Sequence, residues 1–209
     1  MSRTQKILTP LIVLVLLLIG AILYQVLANN GDADRSKLLE AGIVLLPQSR
    51  ELPNLRMTNQ DNEQVALDAL TDKWSLLFFG YTFCPDICPT TLAELRQLDE
   101  KLAPAVKAQL RIVLVTVDPE RDTPQQLKQY LDYFNPAFIG LNGDMEAIKT
   151  LASRVSIPFI PPDTTQPGYT VDHSGNLVVI GPDGKQRGFV RSPLNVDALA
   201  EQLPILMKQ

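Results

Sequence analysis

The chain has 209 residues, with 19 Lys and Arg against 23 Asp and Glu and a formal net charge of −4. No run of Lys or Arg stands out, which speaks against binding to nucleic acid or to an anionic membrane surface. With two cysteines and one histidine in the whole sequence, a small fold stapled by several disulfides is excluded, and the length suits one buried core plus an appendage.

The appendage is expected at the start. From Ile7 to Ala28 run 22 residues without a charge, mostly Leu, Ile, Val and Ala. As a helix this run would extend about 33 Å, enough to cross a hydrocarbon layer of ~30 Å. Arg3 and Lys6 precede it and Asp32 and Asp34 follow. That asymmetry predicts an N-in, single-pass anchor over residues 1–30, with the remainder outside the cytoplasmic membrane, on the periplasmic side. The alternative is a cleaved signal peptide ending near Val26-Leu27-Ala28, but its apolar core is usually only ~7–15 residues. Residues 31–44 read as a stalk, and 45–209 as the folded domain.

In the domain, short strands near Leu55–Thr58 and Gln64–Leu67 flank the turn "NQDNE" and predict a hairpin. "WSLLFFGY" (74–81) is continuously apolar, as in a strand buried on both faces. Leu92, Leu95, Leu98 and Leu102 recur at helical spacing after Pro89. "LRIVLVTVD" (110–118) is a second buried strand, ending at Asp118. Thr123 and Pro124 open a helix through Phe134. A short strand (137–143) and a helix with an acidic cap (144–155) follow.

"SIPFIPPDTTQPG" then excludes both helix and central strand. A hairpin over 176–191, with His173 at its opening, and a last amphipathic helix from Asn195 to Leu206 complete the pattern. Strands alternating with helices, closed by a late antiparallel hairpin, predict an α/β, thioredoxin-like fold with a mixed central sheet.

"FFGYTFCPDICPTT" (78–91) holds both cysteines, Cys84 and Cys88, four positions apart. At that spacing in a helical segment the Cα atoms lie about 6 Å apart, which suits a disulfide or a shared metal ion. With Cys88 as N-cap and Pro89 as first helical residue, the helix dipole favours thiolate. Phe78, Phe79, Tyr81 and Phe83 would form an apolar surround. A purely structural crosslink is the plain alternative, but so short a loop removes little entropy from the unfolded chain. The pair alone does not separate redox chemistry from metal binding, although three intervening residues, not two, lean towards metal.

His173, in "YTVDHSGN", is the only imidazole. Two thiolates and one imidazole make a three-donor site of soft to borderline character, and softness selects copper, zinc or iron–sulfur. Structural zinc asks for four ligands, so the chemistry favours copper. "VDPERDTP" (117–124) adds Asp118 and Asp122, candidates for orienting a ligand or tuning a thiol from one shell out. Asp122 also reads simply as a turn residue near a helix start. Asp86 and Asp172 read as exposed turn residues, and Tyr81 and Phe83 as packing.

Taken jointly, "FFGYTFCPDICPTTLAEL", "VTVDPERDTP" and "VDHSGNLVVIGPDG" resemble the signature segments of the Sco/SenC family, over about residues 45–206. The resemblance implies a membrane-anchored, thioredoxin-like copper protein that helps to assemble the dinuclear copper site of cytochrome c oxidase. It implies Cys84, Cys88 and His173 as copper ligands, with Asp118 and Asp122 as the paired carboxylates. The partners implied are the copper-accepting oxidase subunit, other copper carriers or thiol–disulfide proteins, and the membrane through the N-terminal helix.

Two readings stand side by side: a metallochaperone without turnover, and a thiol–disulfide oxidoreductase that keeps the oxidase cysteines reduced. A thiol peroxidase fits less well, because Thr82 stands two positions before Cys84, not three, and His173 would have no task. His173 discriminates: it is needed for copper and expendable for dithiol exchange.

Overall fold

The computed structural model describes residues 12, 15–20, 24 and 35–208. The chain divides into two compact units, Met1–Glu40 and Ala41–Gln209. In the first unit the described residues are helical. Among the described residues no helix is long and apolar enough to cross a membrane. Most of the anchor expected over 7–28 lies outside the described residues.

The second unit is built on one eight-stranded mixed sheet. Its strands are β1 (Ile43–Glu51), β2 (Arg56–Asn59), β3 (Gln64–Ala66), β4 (Trp74–Gly80), β5 (Leu110–Thr116), β6 (Ile139–Asn142), β7 (Leu177–Ile180) and β8 (Lys185–Val190). The helices are α1 (Ile87–Lys101), the one-turn α2 (Pro104–Lys107), α3 (Pro124–Phe134), α4 (Met145–Arg154) and α5 (Val196–Leu206). The spatial order is β1-β8-β7-β4-β5-β6-β2-β3.

The apolar run of β4 explains its place. All seven of its residues are buried, so it must sit inside the sheet with both faces covered. It runs parallel to β5, from Trp74 opposite Leu110 to Gly80 opposite Thr116, and antiparallel to β7. The parallel β4, β5 and β6 are joined through helices, as parallel neighbours require. Leu92, Leu95, Leu98 and Leu102 are all buried, and α1 packs on α5. The β2–β3 hairpin forms around the predicted turn, where Asn62 adopts φ +64°.

Several local expectations change. Helix α1 starts at Ile87, with Asp86 as N-cap. Cys88 is therefore inside the first turn, not the cap. Pro89 does not delay the start, because the first amides of a helix have no intrahelical partner and a missing N–H costs little there. Strand β5 ends at Thr116, so Asp118 lies in the following turn. The segment from Val155 to Asn176 has no helix or strand, so His173 precedes β7 without opening it.

Strand β1 starts at Ile43, inside the stretch expected as stalk, and runs on into the start of the expected domain. Pro47 disguises it, and an edge position beside β8 tolerates that proline. The caps of α3, α4 and α5 follow the sequence. Thr123, Asp144 and Asn195 each accept a hydrogen bond from the backbone N–H three residues on.

Candidate metal centre

The centre forms at the carboxyl end of β4, where the chain leaves the sheet and turns into α1. Cys84 sits in the turn, its N–H donating to the Tyr81 carbonyl at 3.3 Å. It is half-buried, whereas Cys88 is fully buried, and both are free thiols. Helix α1 aims Cys88 back at the strand end, and the Tyr81 N–H donates to its Sγ at 3.4 Å. Gly80 makes room for that sulfur. A Cβ at Gly80 would stand 2.7 Å from Cys88 Sγ and 2.9 Å from Phe78 Cε1.

His173 arrives from the other side of the chain. Its Nε2 lies 3.3 Å from Cys88 Sγ, and its Nδ1 lies 3.3 Å from the Ser174 carbonyl. A carbonyl can only accept, so Nδ1 carries the proton and the Nε2 lone pair faces the sulfurs. Phe78 and Tyr81 pack edge-on against the imidazole, at 5.9 and 5.7 Å between ring centroids. The Tyr81 hydroxyl accepts from the Val171 N–H at 3.1 Å and ties the histidine segment to the strand end.

The ligating atoms of Cys84, Cys88 and His173 all lie within 4.8 Å of one another. One ion between them could touch all three.

The two thiols differ electrostatically. The hydrogen bond from Cys88 pulls the Cys84 thiol down to about 4, helped by the Asp86 N–H and opposed by burial. Burial pushes the Cys88 thiol up, and the charge on Cys84 pushes it further. The metal-free pair thus holds one proton, on the buried sulfur, and exposes one thiolate. A metal ion would displace that proton, since the thiolate is the ligand form.

Neither carboxylate reaches the sulfurs or the imidazole, yet both are fully buried. Asp122 accepts from the Thr82 N–H at 3.1 Å, from the Thr82 hydroxyl at 2.6 Å and from the Thr116 hydroxyl at 2.6 Å. It thereby fixes the residue two positions before Cys84. Burial nevertheless raises its pKa above the usual carboxylate range. Asp118 holds Arg121 Nε with one oxygen and the Tyr169 hydroxyl, at 2.8 Å, with the other.

The sequence brings out the three donors. It gives Tyr81 only as packing and misses Thr82, Thr116, Arg121 and Tyr169, which help to orient the loops bearing them. All five lie inside the quoted motif segments, but nothing in their spacing marks which of them meet. Asp86 and Asp172 are exposed, as expected.

The comparisons with known proteins agree with this geometry. The sequence model of the SCO1/SenC family matches residues 47–208. A Stutzerimonas stutzeri protein, named as a candidate copper-binding protein, is 47% identical over 175 residues, covering 83% of this chain and 86% of its own. The crystal structure of Arabidopsis thaliana ScoI with copper bound has a TM-score of 0.68 at 31% identity, covering 76% of this chain and 99% of its own. BsSco, described as having a disulfide switch and as a member of the Sco family of cytochrome c oxidase assembly proteins, has a TM-score of 0.63 at 27% identity, covering 76% of this chain and 94% of its own. The fold, the three convergent donors and these matches together place the chain in the SCO1/SenC family.

Proposed function

We propose that this chain binds a copper ion through Cys84, Cys88 and His173 and acts as an assembly factor for the dinuclear copper site of cytochrome c oxidase. The observation that carries this reading is the convergence of two sulfurs and one imidazole nitrogen within 4.8 Å. Three donors of this softness suit copper and fall short of a four-ligand structural zinc site. Copper is the cargo here, and the oxidase subunit that accepts it is the partner. The test is metal titration of the full chain. One copper should bind per chain, with a thiolate-to-copper(II) charge-transfer band lost in Cys84→Ala and in Cys88→Ala. A preference for zinc, or an unchanged affinity in His173→Ala, would overturn the assignment.

The asymmetry of the thiols supports a second reading, thiol–disulfide exchange with the oxidase subunit. The half-buried Cys84 thiolate would attack a partner disulfide, giving a mixed disulfide and releasing one partner thiolate. Cys88, giving up its proton, would then displace the second, leaving a Cys84–Cys88 disulfide and a reduced partner. His173→Ala separates the two readings, because exchange does not need the imidazole.

The charge-free run from Ile7 to Ala28 supports a single membrane-spanning anchor with the domain on the periplasmic face of the inner membrane. A reporter fused after Gln209 should be active only outside the cytoplasm. Cytoplasmic activity would end that reading.

A further inference from the structure

The geometry points to Arg121 as a positioning residue, a clasp that holds the His173-bearing segment against the cysteine loop. This deepens the copper reading and rests on it for its effect on metal affinity. The guanidinium carbon stands over the Tyr169 ring, 3.7 Å from its centroid, and Nη2 donates to the Tyr169 carbonyl at 3.1 Å. On another side it stands 4.9 Å from the centre of the Phe83 ring. Tyr169 is four positions before His173, and Phe83 directly precedes Cys84. One side chain therefore touches both ligand-bearing segments.

Arg121 is itself fixed. Its Nε pairs with the buried Asp118 carboxylate, whose other oxygen receives the Tyr169 hydroxyl at 2.8 Å. The three groups close a ring of interactions that only a planar, multiply donating cation can complete.

The need for such a clasp follows from the fold. Between Val155 and Asn176 the chain has no helix or strand. Structureless connections longer than ~12–15 residues are uncommon in compact domains and are often functional. Near the histidine this connection is also restrained by Val171 N–H to the Tyr81 hydroxyl and Ile160 N–H to the Asp172 carbonyl, both at 3.1 Å, and by Ser192 N–H to Asn176 Oδ1 at 3.0 Å. The cysteine loop has its own anchor in Asp122. Loss of the Arg121 contacts should therefore loosen the imidazole and leave the thiols in place.

The test uses the full chain and two substitutions. Arg121→Ala removes the clasp but strands the Asp118 charge, so Arg121→Lys, which keeps that charge paired, is the decisive variant. In the metal-free protein, amide exchange at Val171 and Ile160 should quicken at least ~10-fold in Arg121→Lys, while the core amides of β4 keep their protection. Copper, competed against a chelator, should bind about 10–100-fold more weakly, the range seen when an outer-sphere partner of a metal ligand is lost. In a His173→Ala background the same substitution should cause no further loss.

Unchanged exchange at Val171 and Ile160 would refute the clasp whatever the metal data show. An equal affinity loss with and without His173 would also refute it, by placing the effect on the thiols or the whole fold. If the wild type takes up no copper, the copper reading fails, and the exchange measurement still decides the clasp.

Discussion

Asp122 and Thr82 are 40 positions apart and joined twice, the carboxylate of Asp122 accepting from both the N–H and the hydroxyl of Thr82 at 3.1 and 2.6 Å. This link ties the turn after β5 to the turn that presents Cys84. Asp122 is fully buried, and burial raises its pKa despite its three donors. The folded protein then keeps a proton that the unfolded chain has lost above pH ~4. Its contribution to stability is full below that value and is lost as pH rises through the folded pKa. Urea unfolding across this acidic window should show the decline, and Asp122→Asn should flatten it. Asp122→Ala should cost ~1–3 kcal/mol for each buried donor left without a partner.

Gly80 sets the space for the buried sulfur. A Cβ there would stand 2.7 Å from Cys88 Sγ, so Gly80→Ala must push the thiol or the strand aside. Overpacking of this kind costs ~1–3 kcal/mol. Because the displaced atom is a proposed ligand, the copper–thiolate absorption of the variant should also shift or weaken. A variant as stable as wild type with an identical spectrum would show that the helix yields without moving the sulfur.

The unequal thiols predict unequal chemistry. With Cys84 pulled down to about 4 chiefly by the Cys88 hydrogen bond, its alkylation in the metal-free reduced protein should be nearly independent of pH from about 6 upward. Cys88, buried and pushed up, should resist until the protein unfolds. Cys88→Ala should restore a sigmoidal profile with a midpoint towards the ordinary thiol value of ~8.5. Equal rates at the two cysteines would remove the single-proton description of the pair. Mass spectrometry of the alkylated peptides reads both sites at once.

Much of this was legible in the sequence, for physical reasons. The seven-residue apolar run of β4 could only be an inner strand, and the leucine spacing of α1 could only be one face of a helix. The donors were legible because two cysteines and one histidine leave few combinations. What stayed hidden depends on contacts between distant segments. Nothing local marks Arg121 as the neighbour of Tyr169, 48 positions away. The sequence offers Asp122 as an outer-shell carboxylate or a turn residue, but nothing local marks Thr82, 40 positions away, as its partner. Strand β1 was hidden because its pairing with β8 overrides a proline that argues locally against a strand. The start of α1 was misplaced by two residues because Pro89 fits the first turn as well as the first position.

The redox chemistry and the metal chemistry of the Cys84–Cys88 pair are coupled. Copper needs both sulfurs as thiolates, and a Cys84–Cys88 disulfide takes both away. The two states therefore exclude each other, and copper must stabilise the reduced form by its binding free energy. The apparent potential of the pair should rise with free copper once the dissociation constant is exceeded. For a two-electron couple the slope is about 30 mV per tenfold copper, so cuprous ion buffered at a hundredfold excess should raise the potential by about 60 mV. His173→Ala should weaken copper binding and shift the onset of this rise to higher copper, because the imidazole serves the metal. It should leave the copper-free potential little changed, since the disulfide involves only the sulfurs. Titration of the pair against a thiol buffer at fixed free cuprous ion gives both quantities. A potential independent of copper would mean that the ion binds elsewhere. A large change in the copper-free potential on removing His173 would make the imidazole a proton-transfer partner of Cys88, 3.3 Å away, and move the weight to the thiol–disulfide reading.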